Sequence, residues 1–153
     1  MGALCGAGPK LPYEQRLERL QAAGIALWDV FASCAREGSL DASIEQASAV
    51  VNDIPALLQR CPQIIRICCN GTTSYTALKR HLGAELERVR PAARLERLPS
   101  TSPANASWSV QRKLEAWRAA LERAGARRPG ALAATSRSSS ARPARARRRL
   151  SCA

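Results

Sequence analysis

From Arg123 to Ala153 the chain carries nine arginines, no acidic residue and no apolar periodicity, so a fold must be built from the residues before it. The full sequence of 153 residues has 24 Lys+Arg against 12 Asp+Glu, a formal charge of +12. All 12 acidic residues and 15 of the basic ones fall within residues 1–122, which are therefore nearly balanced at +3. The tail, rich in Pro, Gly and Ser, cannot bury enough apolar surface to offset its ordering entropy and is expected to be disordered over 123–153. Two readings of it stand side by side. Its arginines could tether the chain to DNA by counterion release, without sequence preference. An Arg/Ala/Ser/Pro string is equally what a shifted reading frame of GC-rich DNA encodes, and the chain has 21 Arg against three Lys.

The sequence excludes several classes. Its apolar runs are a few residues long, far short of the ~20 that a spanning helix needs. The N-terminus lacks the charged segment and long apolar stretch of a secretory signal, which points to a cytoplasmic protein. Cysteines stand at 5, 34, 61, 68, 69 and 152 without any CxxC, a spacing that argues against zinc and for reduced, mostly buried thiols.

Residues 1–122 alternate helical and strand-like segments. A helix opens at Leu11-Pro12-Tyr13-Glu14, turns Leu17 and Leu20 to one side and stops at Gly24. The near-continuous apolar run Ile25–Phe31 reads as a strand buried on both faces, with Asp29 inside it. A short helix fits Leu40–Ala47, and Asn52-Asp53 caps another with Pro55 in its first turn, ended by Cys61-Pro62. Ile64–Cys69 is a second buried strand closed by Asn70-Gly71. A helix follows over 72–82, ended by Gly83. Arg94–Leu98 alternates apolar and charged residues as an outer strand does. The last helix spans about 109–123, with Val110, Leu114, Trp117 and Leu121 at helical spacing. This order argues for an α/β sandwich with a short parallel sheet, yet three strands are thin for a sheet covered on both faces.

In open parallel sheets ligands bind at the carboxyl ends of the strands. All three strand segments here end in polar groups: Asp29, Asn70-Gly71, and Pro99-Ser100-Thr101-Ser102. A buried aspartate is costly unless hydrogen-bonded, and capping a loop would satisfy it as well as binding would. Asn70-Gly71 alone is a turn dipeptide. The loop 99–106 offers hydroxyls and backbone N–H groups before a helix start, which suits a phosphate. His81 reads as a surface residue on a helix.

Taken together, Gly24–Val30, Gly38-Ser39-Leu40-Asp41, Asn70-Gly71, Leu98–Ala106 and Lys113–Arg118 resemble, in collinear order over about residues 3–122, the uracil-DNA glycosylase superfamily. They are most similar to its bacterial hypoxanthine (deoxyinosine) branch. The resemblance implies a three-layer α/β/α sandwich over 1–122 and a monofunctional glycosylase of base excision repair. Such an enzyme flips a deaminated base, deoxyinosine or deoxyuridine, from double-stranded DNA and hydrolyses its N-glycosidic bond. On that basis Asp29 reads the base, Asn70 lines the same pocket, and Pro99, Ser100, Thr101, Ser102 and Asn105 belong to a loop that grips the DNA backbone. Leu98 stands where the superfamily often has an activating His, and Ser102 or Asn105 stands near its bulky wedge. The family's first strand and His-Pro-Arg-Asn-like motif, which positions the attacking water, have no counterpart here, so no catalytic residue is assigned. The sheet is expected to lack its first, central strand, as though translation began at an internal Met. The resemblance implies no metal or organic cofactor, no membrane, and a monomer acting at the nucleoid. A catalytically inactive nucleic-acid-binding remnant of the same fold is the alternative, and a small scaffold whose basic tail binds RNA or acidic partners is a third.

Overall fold

The computed structural model describes residues 1–38 and 43–125. Of the tail expected to be disordered over 123–153, Arg123 instead ends the last helix, and the expectation from 126 on, like part of the helix expected over 40–47, lies outside the described residues. These residues divide into two compact units, Met1–Ala26 and Leu27–Ala124.

The first unit holds α1 (Gly2–Cys5) and α2 (Tyr13–Ala22). The helix read from Tyr13 is present, and Gly24 turns the chain out of it at φ +71°. Leu20 is buried with Cys5 and Ala23, against Ala7 and Ile25. Leu17, expected beside Leu20, is exposed.

The second unit runs β1 (Phe31–Ser33), a 3-10 turn (Gln46–Ser48), β2 (Val50–Val51), α3 (Ile54–Arg60), β3 (Arg66–Asn70), α4 (Thr72–Val89), β4 (Arg94–Leu98) and α5 (Val110–Arg123). The Asp53 cap read from sequence acts as such, and Ser109 caps the last helix in the same way. Asp53 Oδ1 accepts from the Ala56 N–H at 2.9 Å, and Ser109 Oγ accepts from the Arg112 N–H at 3.2 Å. β3 and β4 pair in parallel, Arg66 opposite Arg94 through Asn70 opposite Leu98, with α4 as the crossover. Because strand side chains alternate, Ile67, Cys69 and Leu95 face one way, where they join Ile54, Leu58, Leu78, Leu82 and Leu86 of α3 and α4. Glu96 faces the other way, where α5 reaches it through Arg123. The β3–β4 pair is thus layered between helices, in a mixed α/β fold.

Four expectations are corrected. Residues 25–30 form no strand, and only Phe31–Ser33 pair, antiparallel to β2. Leu27 is 72% exposed and Trp28 41%. A strand buried on both faces needs ladder partners along its length, and among the described residues this run has only two-residue β2. Second, α4 passes through Gly83. Leu78, Leu82 and Leu86 continue one buried stripe across it, and that packing outweighs the ~1 kcal/mol helical penalty of one glycine. Third, the buried face of α5 is Trp117 and Ala120, while Val110 is 82% exposed. Cys5, Cys34, Cys68 and Cys69 are free thiols, whereas Cys61 is disulfide-bonded, contrary to the reduced state expected for it.

Candidate functional site

With Asn70 level with Leu98, the two parallel strands end together and their loops emerge side by side at the carboxyl edge. The loops are joined. Asn70 Nδ2 donates to Thr101 Oγ1 at 3.1 Å, and the Thr101 N–H donates back to Asn70 Oδ1 at 2.8 Å. Next to this clasp the Gly71 N–H donates to the Leu98 carbonyl at 3.0 Å. Gly71 has φ +99°, and a Cβ there would stand 3.0 Å from Ser100 Cβ. Both the backbone conformation and the close approach of the second loop require glycine.

The loop from Pro99 is held from three further sides. The indole N–H of buried Trp117 donates to the Pro99 carbonyl at 2.9 Å. One turn earlier on α5, Lys113 Nζ donates to the Ser102 carbonyl at 2.9 Å. From within the loop, Asn105 Nδ2 donates to the Ser100 carbonyl at 3.1 Å, and its Oδ1 accepts from Ser107 Oγ. Short turns complete it, with the Ser102 N–H donating to Ser100 Oγ and the Ala104 N–H to Ser102 Oγ. Beside the clasp, Arg97 donates to Thr72 Oγ1 at 3.2 Å. A groove of about 350 Å³ lined by Thr72, Thr73, Thr76, Ala77 and Arg80 opens directly after Asn70-Gly71. A second cavity, of about 300 Å³, includes Arg90, Pro91, Ala93 and Leu95 in its lining and so lies towards the amino end of β4, away from these loops.

The structure therefore brings together Asn70, Pro99, Ser100, Thr101, Ser102 and Asn105. It does not tie Asp29 to them. Asp29 is exposed rather than buried, and its backbone carbonyl accepts from Asn52 Nδ2 at 2.9 Å. His81 is exposed, its ring edge-on to Phe31. Burial pushes the Cys69 thiol up to about 11 and raises Cys68 as well, with Glu96 adding to the latter, so both are protonated at neutral pH. Among the described residues no cluster of three or more His, Cys, Asp or Glu could hold a metal, and no helix is long and apolar enough to cross a membrane.

In the sequence Trp117 shows only as one of the apolar positions of the last helix, and the grip of Lys113 and Trp117 on the loop has no local pattern. The available signal was chemical: a buried indole needs an acceptor, and the carbonyl-rich loop lies just upstream.

No family model matches the chain. It is similar to a hypoxanthine DNA glycosylase of Methanosarcina acetivorans, 36% identical over 111 residues, covering 71% of this chain and 63% of that protein. It is also similar to a protein of the same organism whose solution NMR structure carries the provisional name uracil DNA glycosylase. That match has a TM-score of 0.54 and 33% identity, covering 76% of this chain and 66% of the other. The chain thus spans slightly less than two thirds of each.

Proposed function

Since the chain belongs to the uracil-DNA glycosylase superfamily, we propose that it acts on double-stranded DNA carrying a deaminated base, deoxyinosine or deoxyuridine, as a glycosylase of base excision repair. The observation that carries this reading is the clasp between Asn70 and Thr101. It fixes a loop of small hydroxyls and backbone amides at the level carboxyl ends of two parallel strands. In the proposed reaction a base is turned out of the stack, because its glycosidic bond is inaccessible within the duplex. Water adds to C1′, the C1′–N bond breaks with its electron pair passing to the base, and the proton that the water loses ends on the base, so that a free neutral base and an abasic site result. Pro99, Ser100, Thr101, Ser102 and Asn105 hold the backbone on either side of the flipped nucleotide. Asn70 spends one donor and one acceptor on the loop and retains one N–H and one lone pair for the base. Asp29, with its exposed carboxylate, is the base-reading residue in this proposal.

A second reading is a nucleic-acid-binding protein without hydrolytic activity. It is favoured by the chemistry of the groups that hold Asn70 and the loop, which are amides, hydroxyls, an ammonium and an indole. Such groups grip and orient but do not take a proton from water.

The test is incubation of the full chain with duplexes containing one deoxyinosine or one deoxyuridine, followed by alkaline cleavage at abasic sites. Strand breaks above a protein-free control are expected. Binding without breaks would replace the glycosylase with the second reading.

A further inference from the structure

The loop from Pro99 to Ser107 contains no charged residue, and a neutral loop cannot by itself offset the charge of a nucleic-acid backbone. Arg97, next to the clasp, is engaged with Thr72; two further cations beside the loop come from the first turn of α5, and both are tied down. Lys113 Nζ is held on the Ser102 carbonyl at 2.9 Å. The Arg112 guanidinium lies over the Trp108 ring, 4.8 Å from its centroid. An ammonium has three donors, so Lys113 keeps two after binding Ser102. Arg112 meets the indole by its face, which leaves its N–H groups for another acceptor. Fixing two long side chains in advance lowers the rotamer entropy lost when a ligand arrives.

We propose that Arg112 and Lys113 form a two-phosphate grip on the DNA strand that the neutral loop cradles, a role distinct from reading the base. The inference rests on the DNA-acting reading above but not on hydrolysis. Each phosphate neutralised by such a contact releases a counterion, so each residue contributes about 0.9 to the slope of log K against log salt. The Ser/Thr loop sets where the backbone lies, and the two cations supply the salt-dependent affinity.

The experiment is fluorescence anisotropy of the full chain on a 20-base-pair duplex with one central deoxyinosine, titrated from about 50 to 200 mM salt. Arg112→Gln and Lys113→Gln are each expected to flatten the slope by about one, and the double variant by about two. Arg88→Gln, on the far turn of α4, is the charge control and should leave the slope as it is. An unchanged slope in the double variant overturns the grip, as does an equal flattening by Arg88→Gln or a full chain that does not bind DNA. Flattened slopes with no abasic product overturn the glycosylase reading and leave the grip standing.

Discussion

Asn70 and Thr101, 31 residues apart in sequence, exchange two hydrogen bonds and so lock the end of one parallel strand to the loop that follows its neighbour. Asn70→Ala removes both and is expected to cost about 1–2 kcal/mol. A urea midpoint shift at unchanged m-value measures it, with amide exchange quickening at Thr101. Asn70→Asp should cost less, because a carboxylate still accepts from the Thr101 N–H and the threonine hydroxyl can turn to donate.

Gly71→Ala tests a different feature of the same junction. With φ +99° and Ser100 Cβ 3.0 Å from the new methyl, the substitution combines backbone strain with a steric conflict. A loss of about 1–3 kcal/mol is expected. Gly24→Ala has φ +71° but nothing within 4 Å, so it should cost only the strain. Thermal or urea unfolding of the two variants separates the contributions.

Glu96 receives two arginines at 2.6 Å each, Arg66 from β3 and Arg123 from α5. Arg66 is mostly buried, and its Nε has no hydrogen-bond partner among the described residues. Glu96→Gln leaves that guanidinium without its counter-charge, and a loss of about 2–3 kcal/mol is expected, short of what a fully buried pair shows. Arg123→Gln, on the exposed side, should cost under about 1 kcal/mol. In a double-mutant cycle, Arg66→Met should recover part of the Glu96→Gln loss.

Trp117→Phe keeps a buried aromatic ring while removing the N–H that holds the Pro99 carbonyl. A loss of about 1–2 kcal/mol is expected. Weaker binding of a deoxyinosine duplex should accompany it, with the salt slope preserved.

The Cys69 thiol, raised by burial to about 11 from an ordinary 9.0, gives a pH dependence of definite sign. Above pH 9 the unfolded chain gives up this proton while the folded chain keeps it. Stability therefore falls as pH rises from about 9 to about 11. Cys69→Ala should flatten this part of the profile, measured by urea unfolding at a series of alkaline pH values.

The sequence made β3, β4 and the cap of α3 legible, because each is announced locally. A branched apolar run marks β3, apolar–charged alternation marks β4, and Asp53 stands one position before a helical pattern. Gly83 misled for a related reason: the local signal says stop, but the leucine stripe that overrides it becomes visible only when α3 and β3 pack against it. The run 25–31 was apolar enough for a buried strand, yet hydrophobicity does not say whether a ladder partner is present. At the candidate site, the polar strand ends could be picked out singly. The bonds among them join a side chain on one segment to backbone on another, and such pairings leave no periodic trace. Resemblance grouped Asn70 with Asp29, whereas geometry joins it to the loop and gives it a task, holding Thr101, that its residue type alone did not suggest.

The register of β3 against β4 also sets how much change in length each segment can absorb. One residue inserted within 94–98 would turn Glu96 towards the leucines and Leu95 towards the arginines, reversing the strand's two faces at once. It would also carry Leu98 out of step with Asn70, so that the clasp would have no loop to close on. The connection 90–93, before the ladder begins, is under no such constraint. Length variation in this unit is therefore expected ahead of Arg94 and not after it, and the spacing from Arg94 to Thr101 is the part of the chain least free to drift.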